Sequence, residues 1–260
     1  MDTIQKNNEK MTMNRRKIKL FTIGYSDNAS TSYILDYLIS HGVVIDGVIF
    51  YKSQLRGGWK RLIKKIKMRG FAPALKRIYE NLLVRRKKIS QIYHRHIDKV
   101  FFVDKINSEE VRDILISNEV ELLILTSTPI IRSIILDIDD LTIINAHTGW
   151  LPKYRGLDAN LKALRDGHRP RVSVHKVTKE IDGGEVYLRE NFNIDYNGDI
   201  LKQMDEKELQ LSGKLLVEVV NLMSRNVLKP IAQSEPPGKY EPPLTKKERN
   251  KIIKDLKRTL

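Results

Sequence analysis

The protein has 260 residues, 41% of them hydrophobic and 30% charged, which suits one large domain with a smaller appendage and excludes a wholly disordered chain. It contains no cysteine, which excludes disulfides, thiolate metal sites and a cysteine nucleophile, and is compatible with a reducing cytoplasm. The net charge of +15 points to an acidic partner such as a phosphorylated metabolite, a nucleic acid or an anionic lipid surface.

Residues 1–16 read as a flexible lead-in without an apolar core of signal-peptide length. No later run approaches the roughly 20 apolar residues that span a bilayer, so a cytoplasmic location is expected. KIKLFTIG (17–24) is a first strand, YSDNAS a loop, and STSYILDYLISHG a helix, with Ile34, Leu35, Leu38 and Ile39 at helical spacing and Gly42 as its C-terminal cap. VVIDGVIF follows as a second strand. Residues 56–99 then carry 15 Lys and Arg against two acids. They read as two amphipathic helices, GWKRLIKKIKMRG and APALKRIYENLLVRRKK, inserted at 53–99 into the alternating pattern.

The alternation resumes with KVFFV as a strand, SEEVRDILIS as a helix capped by Ser108, ELLILT as a strand, PIIRSIILDI as a helix with Pro129 in its first turn, and LTIIN as a strand. Residues 201–260 form a tail made of a long helix, a Pro-rich stretch and a charged last helix. Such alternation predicts an α/β fold with a Rossmann-like, mostly parallel sheet covered by helices on both faces, over 17–200. Ligands of such sheets bind beyond the carboxyl ends of the strands, which selects the loops after Gly24, Thr126 and Asn145. None of these carries a glycine-rich phosphate cradle, so the dinucleotide and P-loop readings are set aside.

Two stretches carry the chemistry. In INAHTGWLPKYRGLDANLKALRDG, Asn145 and His147 are two apart on a strand and project from one face at its carboxyl end. In RVSVHKVTKEIDGGEVYLRENFNI, two strand-like runs flank a turn containing Asp182, Gly183 and Gly184. Asp-Gly is by itself an ordinary turn device. The combination of Asn-x-His, a Leu-Pro-x-Tyr-Arg-Gly loop directly behind it, and an acid beside two glycines is what points to a site.

Residues 141–195 resemble the signature region of the 10-formyltetrahydrofolate-dependent formyltransferases, which include the glycinamide ribonucleotide, methionyl-tRNA and sugar-nucleotide enzymes. The resemblance implies Asn145, His147 and Asp182 as the catalytic group. Leu151, Pro152, Tyr154, Arg155 and Gly156 match the family's loop, and Ser173 and His175 its Ser/Thr-x-His strand. Thr148 and Gly149 stand where the family often has Pro-Ser. By the same resemblance 10-formyltetrahydrofolate is the co-substrate, held by Thr126, Thr128, Pro129, Ile130 and Gly183, and no metal is needed. Amine attack on a formyl carbon requires donors for the developing oxyanion and an acceptor for the nitrogen's proton. Asn145 and a donating His147 suit the first task and His147 with Asp182 the second, with the choice of base left open.

Tyr154 and Arg155 are substrate-binding candidates; in its loop Arg155 either shapes the backbone or meets an anionic acceptor. His175, alternating with Val174 on its strand, is expected to support its neighbours rather than to react. The tail is short for the RNA-binding barrel of the methionyl-tRNA enzymes, and the first loop lacks the glycines of the glycinamide ribonucleotide enzymes. The expected acceptor is therefore a small amine, phosphorylated or nucleotide-linked, such as an amino sugar. Residues 56–99 are candidates for contact with nucleic acid or an anionic membrane surface, and the helical tail for a homodimer. Two rival readings use the same core: a hydrolase releasing formate from the folate, and a non-catalytic nucleic-acid- or membrane-binding scaffold.

Overall fold

A computed structural model describes residues 16–51, 96–231 and 236–258. The expected lead-in, apart from residue 16, and most of the basic insertion, including both of its predicted helices, lie outside the described residues.

Among the described residues, seven strands form one sheet in the order β3-β2-β1-β4-β5-β6-β7. They are β1 Leu20–Tyr25, β2 Gly47–Tyr51, β3 Lys99–Val103, β4 Leu122–Thr126, β5 Thr142–His147, β6 Arg171–Lys176 and β7 Val186–Asn191. The first five are mutually parallel, whereas β6 pairs antiparallel with both β5 and β7. The chain builds outward from β1 to β3 and then returns to β4 on the other side of β1. Strand order thus reverses between β1 and β4, where open sheets leave a crevice at their carboxyl ends.

Both faces of the sheet are covered, because successive side chains point to opposite sides and both sets are apolar. On one face, α1 (Ala29–Ser40) and α5 (Ile200–Ser224) bury Leu35, Leu38, Leu215, Leu216 and Val219 against Val48, Ile124, Ile144 and Val174. On the other, α2 (Glu109–Ser117) and α3 (Ser133–Leu136) bury Val111, Leu115 and Ile135 against Phe21, Ile23, Leu123 and Ile143. Each fully buried leucine contributes about 2 kcal/mol of transfer free energy.

The predicted caps are present. Ser108 accepts the amide of Val111 at the start of α2, and Gly42 closes α1 with a positive φ of 77°. Asn28 and Asp199 add side-chain caps to α1 and α5.

Two local expectations are corrected, and one helix was not expected. The helix expected from Pro129 is only Ser133–Leu136. Ahead of it, Asn107 takes the backbone for itself, donating to Ile130 O at 2.9 Å and accepting Arg132 N at 2.7 Å, so residues 129–132 stay irregular. The second strand starts at Gly47 rather than Val43, since Val43 N still bonds Leu38 O in the closing turn of α1. A helix not anticipated, α4 (Ala159–Arg165), follows the Leu-Pro-x-Tyr-Arg-Gly loop. Its strong formers Ala, Leu, Lys and Arg were the available signal.

Beyond α5 the chain runs back past β7, where Ile231 N donates to Val186 O at 2.7 Å. Residues 236–245 then cross the loop before α4, and α6 (Lys246–Arg258) packs on α4 around Leu161, Leu164, Leu244 and Ile252. Among the described residues no helix is long and apolar enough to cross a membrane.

Candidate active site

Strand register assembles the site. In the antiparallel β5–β6 pair, Asn145 lies opposite His175 and His147 opposite Ser173. Directly paired residues share a face, so all four side chains emerge on one side of the sheet at the carboxyl end of β5, while Ile144, Ala146, Val172 and Val174 enter the core on the other. The turn between β6 and β7 then folds back over them and delivers Asp182, whose φ of 51° aims its carboxylate inward.

Asp182 stands between two imidazoles. Its Oδ2 is 3.6 Å from His147 Nδ1 and its Oδ1 3.7 Å from His175 Nε2. The two rings are perpendicular, at 89°, with centroids 6.3 Å apart. His147 is 8% exposed, and its Nε2 lies 2.9 Å from the carbonyl oxygen of Tyr154. A carbonyl only accepts, so Nε2 carries a proton and donates it there. Nδ1, the atom that faces the carboxylate, is therefore the ring nitrogen with a free lone pair in the neutral ring.

His175 is fixed in the complementary tautomer. Its Nδ1 donates to Lys176 O at 2.9 Å, and its Nε2 faces the Asn145 side-chain nitrogen at 3.5 Å. Burial above all, and then the neighbouring His147, lower the His175 pKa to about 4 against the opposing pull of Asp182. It is thus a neutral acceptor at ordinary pH, and it orients the Asn145 amide with its nitrogen toward β6.

The loop after β5 holds the rest. Ser173 Oγ donates to Gly149 O at 2.7 Å and accepts Leu151 N at 3.2 Å. Arg189 reaches Leu151 O at 3.0 Å, and the Leu151–Pro152 bond is cis. Gly156 N donates to Asp182 Oδ2 at 2.8 Å. The loop therefore meets both side chains with backbone atoms: the carbonyl of Tyr154 at His147 and the amide of Gly156 at Asp182.

A family model described as Formyl transferase matches residues 40–220. The chain belongs to the formyl transferase family. It is similar to the methionyl-tRNA formyltransferase of Caldicellulosiruptor saccharolyticus, at 33% identity over 115 residues, 44% of this chain and 36% of that protein. Its likeness to the methionyl-tRNA formyltransferase of Thermotoga maritima is 23% over 217 residues, 83% of this chain and 62% of that protein. The chain thus spans between about a third and two thirds of the length of these relatives. Solved structures with the same fold include a sugar N-formyltransferase from a Shewanella species, with a TM-score of 0.57 at 14% identity, covering 86% of this chain and 77% of the other. Another is a phosphoribosylglycinamide formyltransferase from Anaplasma phagocytophilum, with a TM-score of 0.57 at 18% identity, covering 85% of this chain and 96% of the other.

Within this member of the formyl transferase family the remaining candidates fall into two groups. Thr126 has its side chain committed to the sheet: Oγ1 donates to Ile23 O at 3.1 Å and its carbonyl accepts Thr31 Oγ1 at 2.6 Å. Beyond it, Ser127 takes a positive φ of 62°, Thr128 is half-buried, and Pro129 and Ile130 are exposed. Gly183 follows Asp182 in the turn, its amide bonded to Glu180 O at 3.2 Å.

Tyr154 is 6% exposed, and its hydroxyl donates to Asp166 at 3.0 Å and lies 2.9 Å from His168 Nδ1. Its side chain therefore packs the loop, and what it presents to His147 is its carbonyl. The Arg155 guanidinium turns to Glu180 on the Asp182 turn, joining the two loops that carry the site. Sequence reasoning missed Gly156 as the partner of Asp182, although a glycine ending a tight loop was the available signal, and had no means of finding a contact made by the Tyr154 backbone.

Proposed function

We propose that this chain transfers the formyl group of 10-formyltetrahydrofolate to a primary amine, with an amino sugar carried on a nucleotide as the acceptor. The observation that carries the reading is the pairing of His147 Nδ1 with Asp182 Oδ2 at 3.6 Å, beside an oriented Asn145 amide.

The amine nitrogen attacks the formyl carbon with its lone pair, and the carbonyl electrons move to oxygen. The Asn145 amide, held from behind by neutral His175, offers its other N–H to that oxyanion, in the manner of preorganised donors elsewhere. The attacking nitrogen becomes cationic and gives a proton to His147 Nδ1, and the resulting imidazolium is stabilised by Asp182 alongside. Collapse of the intermediate expels the folate nitrogen, which takes that proton back and leaves a formamide on the acceptor. The folate donor supplies the activated formyl group; the exposed Ile130 and Ile181 offer apolar edges for its ring, next to backbone groups of residues 127–130 and Gly183.

Support for an anionic acceptor comes from the +15 net charge. A second reading, in which the acceptor is the aminoacyl amine of methionyl-tRNA, is favoured by the names of the relatives in Caldicellulosiruptor and Thermotoga.

Incubation of the purified chain with 10-formyltetrahydrofolate and a panel containing nucleotide-linked amino sugars, glycinamide ribonucleotide and methionyl-tRNA tests both. A gain of one formyl unit by mass spectrometry on an amino sugar supports the first reading, and on the tRNA the second. Formate release without any amine would mark a hydrolase instead, and absence of folate turnover under every condition would leave only a scaffold.

A further inference from the structure

We propose that the C-terminal strap, Gly238–Leu244, is part of the catalytic apparatus, and that Tyr240 is a positioning residue for Asp182 and His147. The inference rests on the formyl-transfer reading above and extends it to a segment outside the residues 40–220 that match the family.

The strap is pinned at several points to the loop that precedes α4 and to α4 itself. Gly238 N donates to Pro152 O at 2.9 Å, and Gly238 lies so close to Lys153 O that any side chain at 238 would overlap it. Tyr240 lays its ring on Gly156, where an added Cβ would come within 2.7 Å of the ring. The Glu241 carbonyl accepts the buried Lys162 Nζ at 3.0 Å, and its carboxylate pairs with Arg165 at 3.3 Å. Leu244 N donates to Asp158 Oδ2 at 2.9 Å.

Between these fixed points lie the two backbone groups that touch the reactive side chains. Tyr154 O holds the His147 Nε2 proton, and Gly156 N holds Asp182 Oδ2. Gly156 has a φ of 78°, open to glycine at little cost, so the local backbone alone leaves its amide direction weakly determined. The Tyr240 ring, lying against that residue, restricts it. Displacing the strap therefore moves an acceptor for His147 and a donor for Asp182 together.

Tyr240 is 56% exposed, so its removal sacrifices little buried area and a merely structural role would register weakly in any assay. A positioning role has a different signature, because displacements of about 1 Å at reacting groups cost on the order of 100-fold in rate. The ring makes the contact through its carbons, Cε2, Cδ2 and Cζ, so phenylalanine should replace it.

The test uses the full chain as wild type, Tyr240→Ala, Tyr240→Phe and Gly238→Ala. Expected are a fall in kcat of about 10- to 100-fold for Tyr240→Ala with KM for the amine changed by less than about threefold, an unchanged Tm, and recovery of kcat in Tyr240→Phe. Gly238→Ala, which forces the strap off Lys153 O, should lower kcat as well. In parallel, the His147 side-chain nitrogen resonances, followed by NMR without any substrate, should move in Tyr240→Ala and stay in place in Tyr240→Phe.

Wild-type kcat in Tyr240→Ala together with unmoved His147 resonances would overturn the proposal, as would equal losses in the alanine and phenylalanine variants. If the wild type formylates no amine, the formyl-transfer reading fails by itself. The His147 resonances then still decide whether the strap positions the pair.

Discussion

His175 lies directly across the β5–β6 pair from Asn145, with its Nε2 3.5 Å from the Asn145 side-chain nitrogen. The contact needs an unprotonated Nε2, and burial secures this by lowering the His175 pKa to about 4 from the ordinary 6.5. Between those two values the unfolded chain binds the proton and the folded protein does not. Stability from this group is therefore complete above about pH 6.5 and is lost as the pH falls toward 4, by about 3 kcal/mol at the full extent. His175→Gln, which cannot titrate there, should be less sensitive to acid. Urea unfolding at pH 7 and pH 4.5 measures the difference, and parallel losses in the two proteins would count against this assignment.

Asp182→Asn keeps an oxygen for the Gly156 amide, bonded to Oδ2 at 2.8 Å, but removes the negative charge 3.6 Å from His147 Nδ1 on which the proposed proton transfer depends. Folding should change little. Formyl transfer should fall by about 100- to 10,000-fold in kcat, with KM for the acceptor nearly unchanged. Equal turnover by variant and wild type would remove Asp182 from the mechanism.

The fold was legible because its signals are local and repeated. The buried strands carry apolar runs, Ser108 caps its helix, and Gly42 ends another, as their spacing predicts. The candidate site was legible only in part. Asn145 and His147 share a strand and so share a face by geometry, but their meeting with Asp182 depends on a turn conformation, φ 51°, that residue spacing does not encode. The resemblance to a family, and not periodicity, joined the three. What remained hidden are contacts between chain segments remote in sequence: Tyr154 O with His147, Gly156 N with Asp182, and Tyr240 on Gly156. The helix expected at Pro129 failed for the same reason, since Asn107, more than 20 residues earlier, competes for its backbone.

Asp158 anchors the C-terminal region through both oxygens. Oδ2 accepts Leu244 N at 2.9 Å and Oδ1 pairs with Arg249, and the two side chains are only 9% and 14% exposed. Its φ is also positive, at 61°. Asp158→Ala leaves a largely buried guanidinium without its partner and places alanine in the left-handed region, so a loss of about 3–4 kcal/mol is expected. Asp158→Asn keeps an acceptor oxygen and tolerates that backbone, and should lose roughly half as much. Chemical denaturation of the two variants against wild type checks the order; a reversed order would mean that the ion pair is not the main term.

Glu208 on α5 supplies a stability effect of opposite sign to that of His175. Its Oε1 accepts Asn160 Nδ2 at 2.7 Å, while Asn160 also bonds Arg171 N and O, so the carboxyl group is drawn into the contact between α4, β6 and α5. Burial first, then Asp205 and Asp158, raise its pKa to about 8 from 4.5, although the Asn160 bond works the other way. From about pH 4.5 to 8 the folded protein holds a proton that the unfolded chain has released. Stability from this group is therefore greatest at the acid end of that window and declines as pH rises through it, by about 3 kcal/mol once solvent contact is allowed for. Glu208→Gln remains neutral and can still accept from Asn160. It should match wild type near pH 5 and exceed it above pH 8. Thermal unfolding across pH 5–9 reads this directly: a variant that tracks wild type throughout would mean that the carboxylate ionises without penalty in the folded protein.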